Sequence, residues 1–238
     1  MGLLMLTALI TAVLIAFSFK IIELLIGLFS KHHIRFAVYY WGALLIALSL
    51  FIKDNFVYNL PHDFLAVLPL CLLILLINGL VARRSGYSPR GRFNTINFII
   101  AYPVLEEIAF RGLALPVLAH NETFGALSGL ELGYGLIPQL SLAVIITAVL
   151  FAVSHLQYYK LNAESIRFMG FALSGGLFFG LVAQATESIL LTILMHISFN
   201  ASAALYSYNK RKLAKQVETA MPSFREGGNR FCEKYKDY

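Results

Sequence analysis

The sequence predicts an all-α, polytopic membrane bundle of about seven transmembrane helices, and three observations carry that reading. The chain has 238 residues, 58% of them hydrophobic and 13% charged. A soluble domain is usually about half apolar and about a quarter charged. The apolar residues fall in long unbroken runs, whereas a membrane β-barrel needs short alternating segments. The cations are partitioned between alternate loops, as multi-pass topology requires.

The apolar runs are 2–19, 36–52, 63–82, 95–119, 139–157, 168–184 and 188–207. Each approaches the roughly 20 residues that cross the hydrocarbon core as a helix. The first, MGLLMLTALITAVLIAFSF, has no basic start and no small-residue cleavage site. It is expected to be a retained span, not a signal peptide, and it can continue past Lys20 through IIELLIGLF. Residues 1–207 are therefore read as one transmembrane bundle, and 208–238 as a basic cytoplasmic tail. Cys71 lies in a span and Cys232 in the tail, which excludes a disulfide framework. In SGGLFFGLVAQ, Gly176 and Gly180 are four residues apart and read as a close helix–helix contact.

A formal net charge of +6 raises the possibility of nucleic acid as a partner, but its distribution argues against that. One set of alternate loops, 31–35, 83–94, 158–167 and the tail, holds sixteen Lys and Arg; the other set holds only Lys53. That asymmetry puts the tail in the cytoplasm. The expected partners are the lipid bilayer and membrane-associated peptides, with no nucleic acid.

Charges inside the runs are the functional signal. The fourth carries Glu106, Glu107 and Arg111 in EEIAFRG. Glu107 and Arg111 are i and i+4, the favourable order for an ion pair on one helix face. Glu106 points about 100° away and is expected to face a polar interior, because intramembrane carboxylates face bundle interiors or water-filled cavities. LFAVSHLQ places His155 near the cytoplasmic end of the fifth run. LMHISFNAS places His196 and Asn200 on one face of the seventh. From the helical rise, Glu106 and His196 lie about 16 Å deep and Asn200 about 6 Å nearer the cytoplasm. Each needs a partner in lipid, and one shared pocket supplies it.

A glutamate beside histidines can activate water by taking its proton. A histidine and an asparagine amide can donate to the oxyanion of a tetrahedral intermediate. That combination is a hydrolase without a covalent nucleophile. The same chemistry leaves zinc open, with Glu106, His155 and His196 as ligands, although no H-E-x-x-H motif is present.

E-E-x-x-x-R in EEIAFR, F-x-x-x-H in FAVSH and H-x-x-x-N in HISFN follow one another on successive runs. In this the chain resembles the CAAX prenyl endopeptidases of the Ras-converting type and their prokaryotic relatives, the bacteriocin-immunity or Abi proteins, over about 95–205. The resemblance implies an intramembrane glutamic protease that hydrolyses a peptide bond of a membrane-associated protein or peptide. It implies Glu106 as the water-activating residue, assisted by His155, with His196 and Asn200 binding the oxyanion. Glu107 and Arg111 would serve positioning and structure, and Phe151 would line the pocket. No metal cofactor is expected. The length and short loops resemble a compact prokaryotic member, in the cell membrane.

Two other classes compete. A non-catalytic immunity or scaffold protein would not need all four polar residues. A transporter or proton relay also uses buried Glu and His, but the chain has no inverted repeat or pair of broken helices.

Overall fold

The computed structural model describes residues 2–125, 139–157 and 160–220. Among these there is no strand, and seven helices stand where seven runs were expected. They are α1 (Gly2–Phe29), α2 (Ala37–Phe51, entered by a 3-10 turn at Lys31–Phe36), α3 (Phe64–Ala82), α4 (92–119), α5 (Leu142–Ser154), α6 (Ala163–Thr186) and α7 (Leu190–Ala220). The protein is an all-α membrane bundle. Five segments among the described residues are long and apolar enough to cross a membrane: α1, the 3-10 turn with α2, α3, most of α6 and most of α7. The other two helices differ for local reasons. α5 is shorter, and α4 is interrupted.

Two helices outrun the expected spans. α1 continues through Lys20 to Phe29, and Lys20 pairs with Glu23 one turn on, so the two charges form a local feature. α7 runs unbroken to Ala220 instead of ending near 207. The added stretch, YNKRKLAKQVETA, is rich in Lys, Arg, Leu, Ala and Gln and free of Gly and Pro, so nothing in it stops the helix. The rest of the expected tail, 221–238 with Cys232, lies outside the described residues.

α4 is the central element. Every residue from 106 to 116 is buried, the mark of a helix surrounded on all sides. On one flank lie α1 and α2, where Ala12, Ile15, Ala16 and Phe19 make one stripe against Trp41 and Leu45. The Trp41 indole N–H donates to Ser18 Oγ at 2.8 Å. On the other flank α3 packs Val67, Leu70, Cys71 and Ile74 against Phe179 and Val182 of α6 and Met195 of α7. α5 and α6 approach closely: a Cβ on Gly176 would come within 3.0 Å of Ala148 Cα, and one on Gly180 within 2.8 Å of Val144 Cγ1. The packing role expected for this glycine pair is therefore borne out.

Two prolines account for the interruptions in α4. Its α-helical turns Arg92–Ile96, Tyr102–Glu107 and Leu115–Ala119 are separated by π-helical stretches at Asn97–Ala101 and Ile108–Ala114. Each stretch ends with one residue between it and a proline, at Tyr102-Pro103 and Leu115-Pro116. Proline has no N–H to give to the ladder. Tyr102 N–H reaches back five residues to the Asn97 carbonyl, and Leu115 N–H to that of Phe110. Carbonyls that would have paired with proline are thereby freed. The Gly112 carbonyl accepts the Phe56 N–H at 3.0 Å, and the missing Cβ of Gly112 leaves room for Val57, which a Cβ would meet at 2.7 Å.

Candidate active site

All seven residues singled out in the sequence come together. α4 supplies Glu106, Glu107 and Arg111, α5 supplies Phe151, the 3-10 turn that follows it (His155–Gln157) supplies His155, and α7 supplies His196 and Asn200. A cavity of about 550 Å³ is lined by Glu106, Phe151, His155, His196 and Asn200. Glu107 and Arg111 stand behind it. Glu107 is 0% exposed, against 9% for Glu106, which decides which of the adjacent glutamates faces the cavity.

The buried layer is an ion-pair relay. Arg111 Nη1 donates to Glu107 Oε1 at 3.0 Å, as the i, i+4 spacing predicts. The same oxygen is 2.8 Å from His196 Nδ1. A carboxylate oxygen only accepts, so Nδ1 carries the proton and Nε2 is the nitrogen left for the cavity. Nε2 lies 3.7 Å from Glu106 Oε2, beyond direct hydrogen-bond reach. The Arg111 guanidinium also stacks over Phe151, 4.4 Å from the ring centroid. The Phe151 ring meets His155 and His196 nearly edge-on, at 5.1 and 6.0 Å. Phe151 is thus a spacer that holds the arginine and both imidazoles.

His155 is fixed by its own helix. Its Nδ1 donates to the Phe151 carbonyl at 2.9 Å, which leaves Nε2 bare as an acceptor. Asn200 is fixed by the first π-helical stretch of α4. The Phe98 carbonyl has lost its α-helical donor, Tyr102 N–H, to Asn97, and its π-helical donor would be Pro103, which has none. Asn200 Nδ2 takes that carbonyl at 2.7 Å. One of the two amide protons is spent there, and the other remains.

Three features were not expected from the sequence. The first is the 2.8 Å contact between His196 and Glu107; no signal in the sequence distinguishes which neighbouring glutamate meets a residue on another helix. The second is the contribution of α3, whose Ile74, Ile77, Asn78 and Val81 form a wall of the cavity. Asn78 Nδ2 donates to the Met195 carbonyl at 3.0 Å, beside His196. The third is the aromatic character of the cavity, which eight Phe and Tyr side chains line. It is therefore an apolar chamber with a few converging polar groups, as ligand pockets usually are. Among the described residues no three His, Cys, Asp or Glu side chains gather closely enough to hold a metal ion.

Residues 88–202 match the family described as Rce1-like, type II CAAX prenyl endopeptidase. The chain carries an Rce1-like domain. Compared with curated proteins and with solved structures, it has no significant match. The Rce1-like domain takes in all of α4, α5 and α6, and the part of α7 that bears His196 and Asn200. α1, α2 and α3 precede it. That family is a protease family, so residues 88–202 form a domain of peptidase type, and the long apolar helices fit an integral membrane protein.

Proposed function

We propose that the protein is an intramembrane endopeptidase that hydrolyses a peptide bond of a membrane-associated protein or peptide, near the cytoplasmic face on which its basic loops and tail lie. The observation that carries this reading is the convergence of Glu106, His155, His196 and Asn200 on one largely apolar cavity. Glu106 takes a proton from a water that attacks the scissile carbonyl. His155, with Nδ1 committed to the Phe151 carbonyl, accepts the water's second hydrogen bond through Nε2 and orients it. The carbonyl oxygen becomes an oxyanion, which accepts from the free amide proton of Asn200 and from His196 when Nε2 is also protonated. Glu107, 2.8 Å from Nδ1, is the counter-charge for that imidazolium. As the intermediate collapses, Glu106 returns its proton to the leaving amine.

The test is cleavage of a panel of membrane peptides, prenylated and not, by purified wild type and His155→Ala, with and without a chelator. Wild-type cleavage that ignores the chelator and falls by about 10²–10⁴-fold in the variant is the expected result. Loss with chelator would recast Glu106, His155 and His196 as zinc ligands. Equal cleavage by the variant would remove His155 from the chemistry. A well-folded wild type that cuts no peptide, prenylated or not, would favour a non-catalytic immunity or scaffold role.

The same mechanism gives Pro103 a measurable effect. In Pro103→Ala the new N–H completes the π-helical rung onto the Phe98 carbonyl and competes with Asn200. The expected loss in kcat is about tenfold, below the roughly 10²–10³-fold cost of deleting an oxyanion donor. Steady-state kinetics of Pro103→Ala beside Asn200→Ala checks it; an unchanged kcat would mean that Asn200 needs no such anchor.

A further inference from the structure

The 3-10 turn that carries His155 ends on Gln157, whose side chain is turned away from the cavity and into α1. Its Nε2 donates to the Ala16 carbonyl at 3.0 Å, and its Oε1 accepts from the Lys20 N–H at 3.0 Å. Ala16 and Lys20 are i and i+4, so these are the two groups that an α-helix pairs with each other. One carboxamide therefore straddles one rung of α1, giving a donor to its carbonyl and an acceptor to its N–H. A primary amide is the side chain that offers both from one planar group. The partners lie 141 and 137 residues away in sequence, and α1 lies outside the Rce1-like domain.

A three-residue 3-10 turn has poor hydrogen-bond geometry and little rigidity of its own. The position of the His155 ring therefore depends on what holds the two ends of the turn. At one end Phe151 supplies the carbonyl that binds Nδ1. At the other, Gln157 fastens the backbone to α1, a helix whose inner stripe is packed against α2 and α4. We infer that Gln157 is a positioning residue for His155, and that α1 is the fixed frame against which the water-orienting imidazole is held. This rests on the reading of His155 given above.

The experiment is steady-state cleavage of a membrane peptide by the full chain with Gln157→Ala and Gln157→Met, beside thermal unfolding in the same detergent. Methionine keeps most of the length and volume of the side chain and removes only the amide. Both variants are expected to lose up to about 10²-fold in kcat, the scale of a roughly 1 Å misplacement, with KM unchanged. In a His155→Ala background, followed by long incubation, the same substitutions are expected to have no further effect. Wild-type kcat in Gln157→Met would overturn the inference. So would a rise in KM alone, or a loss that persists undiminished without His155. A fully active His155→Ala single variant would instead remove the reading of the site itself, and that result is distinct from any the Gln157 variants give.

Discussion

Glu106→Gln is expected to lower kcat by about 10²–10⁴-fold while the protein inserts and unfolds as the wild type does. Glutamine keeps the shape and can still hydrogen-bond, but it cannot take a proton from water. The substitution should be structurally mild because Glu106 lies outside the buried relay. His196 Nε2 stands 3.7 Å from its Oε2, beyond hydrogen-bond reach, and the Arg111 bond goes to Glu107. Glu107→Gln should behave differently, since it removes the counter-charge of a buried guanidinium. Two adjacent carboxylates thus separate into one whose loss costs rate alone and one whose loss costs stability as well. Single-turnover cleavage and thermal unfolding of both variants make the comparison. A Glu106→Gln protein that cuts at the wild-type rate would sink the mechanism.

Much of the site was legible because its residues are costly where they stand. Carboxylates, an arginine and histidines inside apolar runs require partners, so Glu106, Glu107, Arg111, His155, His196 and Asn200 stood out without any structure. The Glu107–Arg111 pair followed from spacing alone. The helices were legible because each long apolar run must satisfy its own backbone in lipid. What escaped was rotational. A regular helix over 95–119 says nothing of the two π-helical stretches, each of which turns one part of α4 against the next. The signals for them were Pro103 and Pro116, and the consequence, a free Phe98 carbonyl that anchors Asn200, needs the register of both helices. α3 escaped for another reason: FLAVLPLCLLILLINGLVA is apolar all round apart from Asn78, so no apolar periodicity orients it, and the single signal for the face that meets the cavity was Asn78. Gln157 reads as an unremarkable polar residue at a helix end, because its two partners are more than a hundred residues away.

The largest effect on stability is expected from Arg111→Met, about 3–5 kcal/mol, the usual cost of stripping one partner from a buried ion pair. Arg111 is 1% exposed and Glu107 0%, so the carboxylate left behind cannot recruit bulk water. It still has His196 Nδ1 at 2.8 Å, but no full counter-charge. The pair itself is not optimally satisfied, since among the described residues Arg111 Nη2 has no hydrogen-bond partner. A buried pair of this kind adds little net stability over an apolar replacement. Glu107→Leu/Arg111→Met should therefore recover most of what Arg111→Met loses. It should not recover cleavage, because His196 then has no carboxylate to hold its Nδ1 proton and turn Nε2 to the cavity. Reversible unfolding in mixed micelles, measured beside peptide cleavage, separates these outcomes. A double variant that is stable and inactive would mean that Glu107 and Arg111 are kept in the core to orient His196. A double variant as unstable as Arg111→Met would mean that the ion pair holds the helices together, and an active one would free His196 of any need for Glu107.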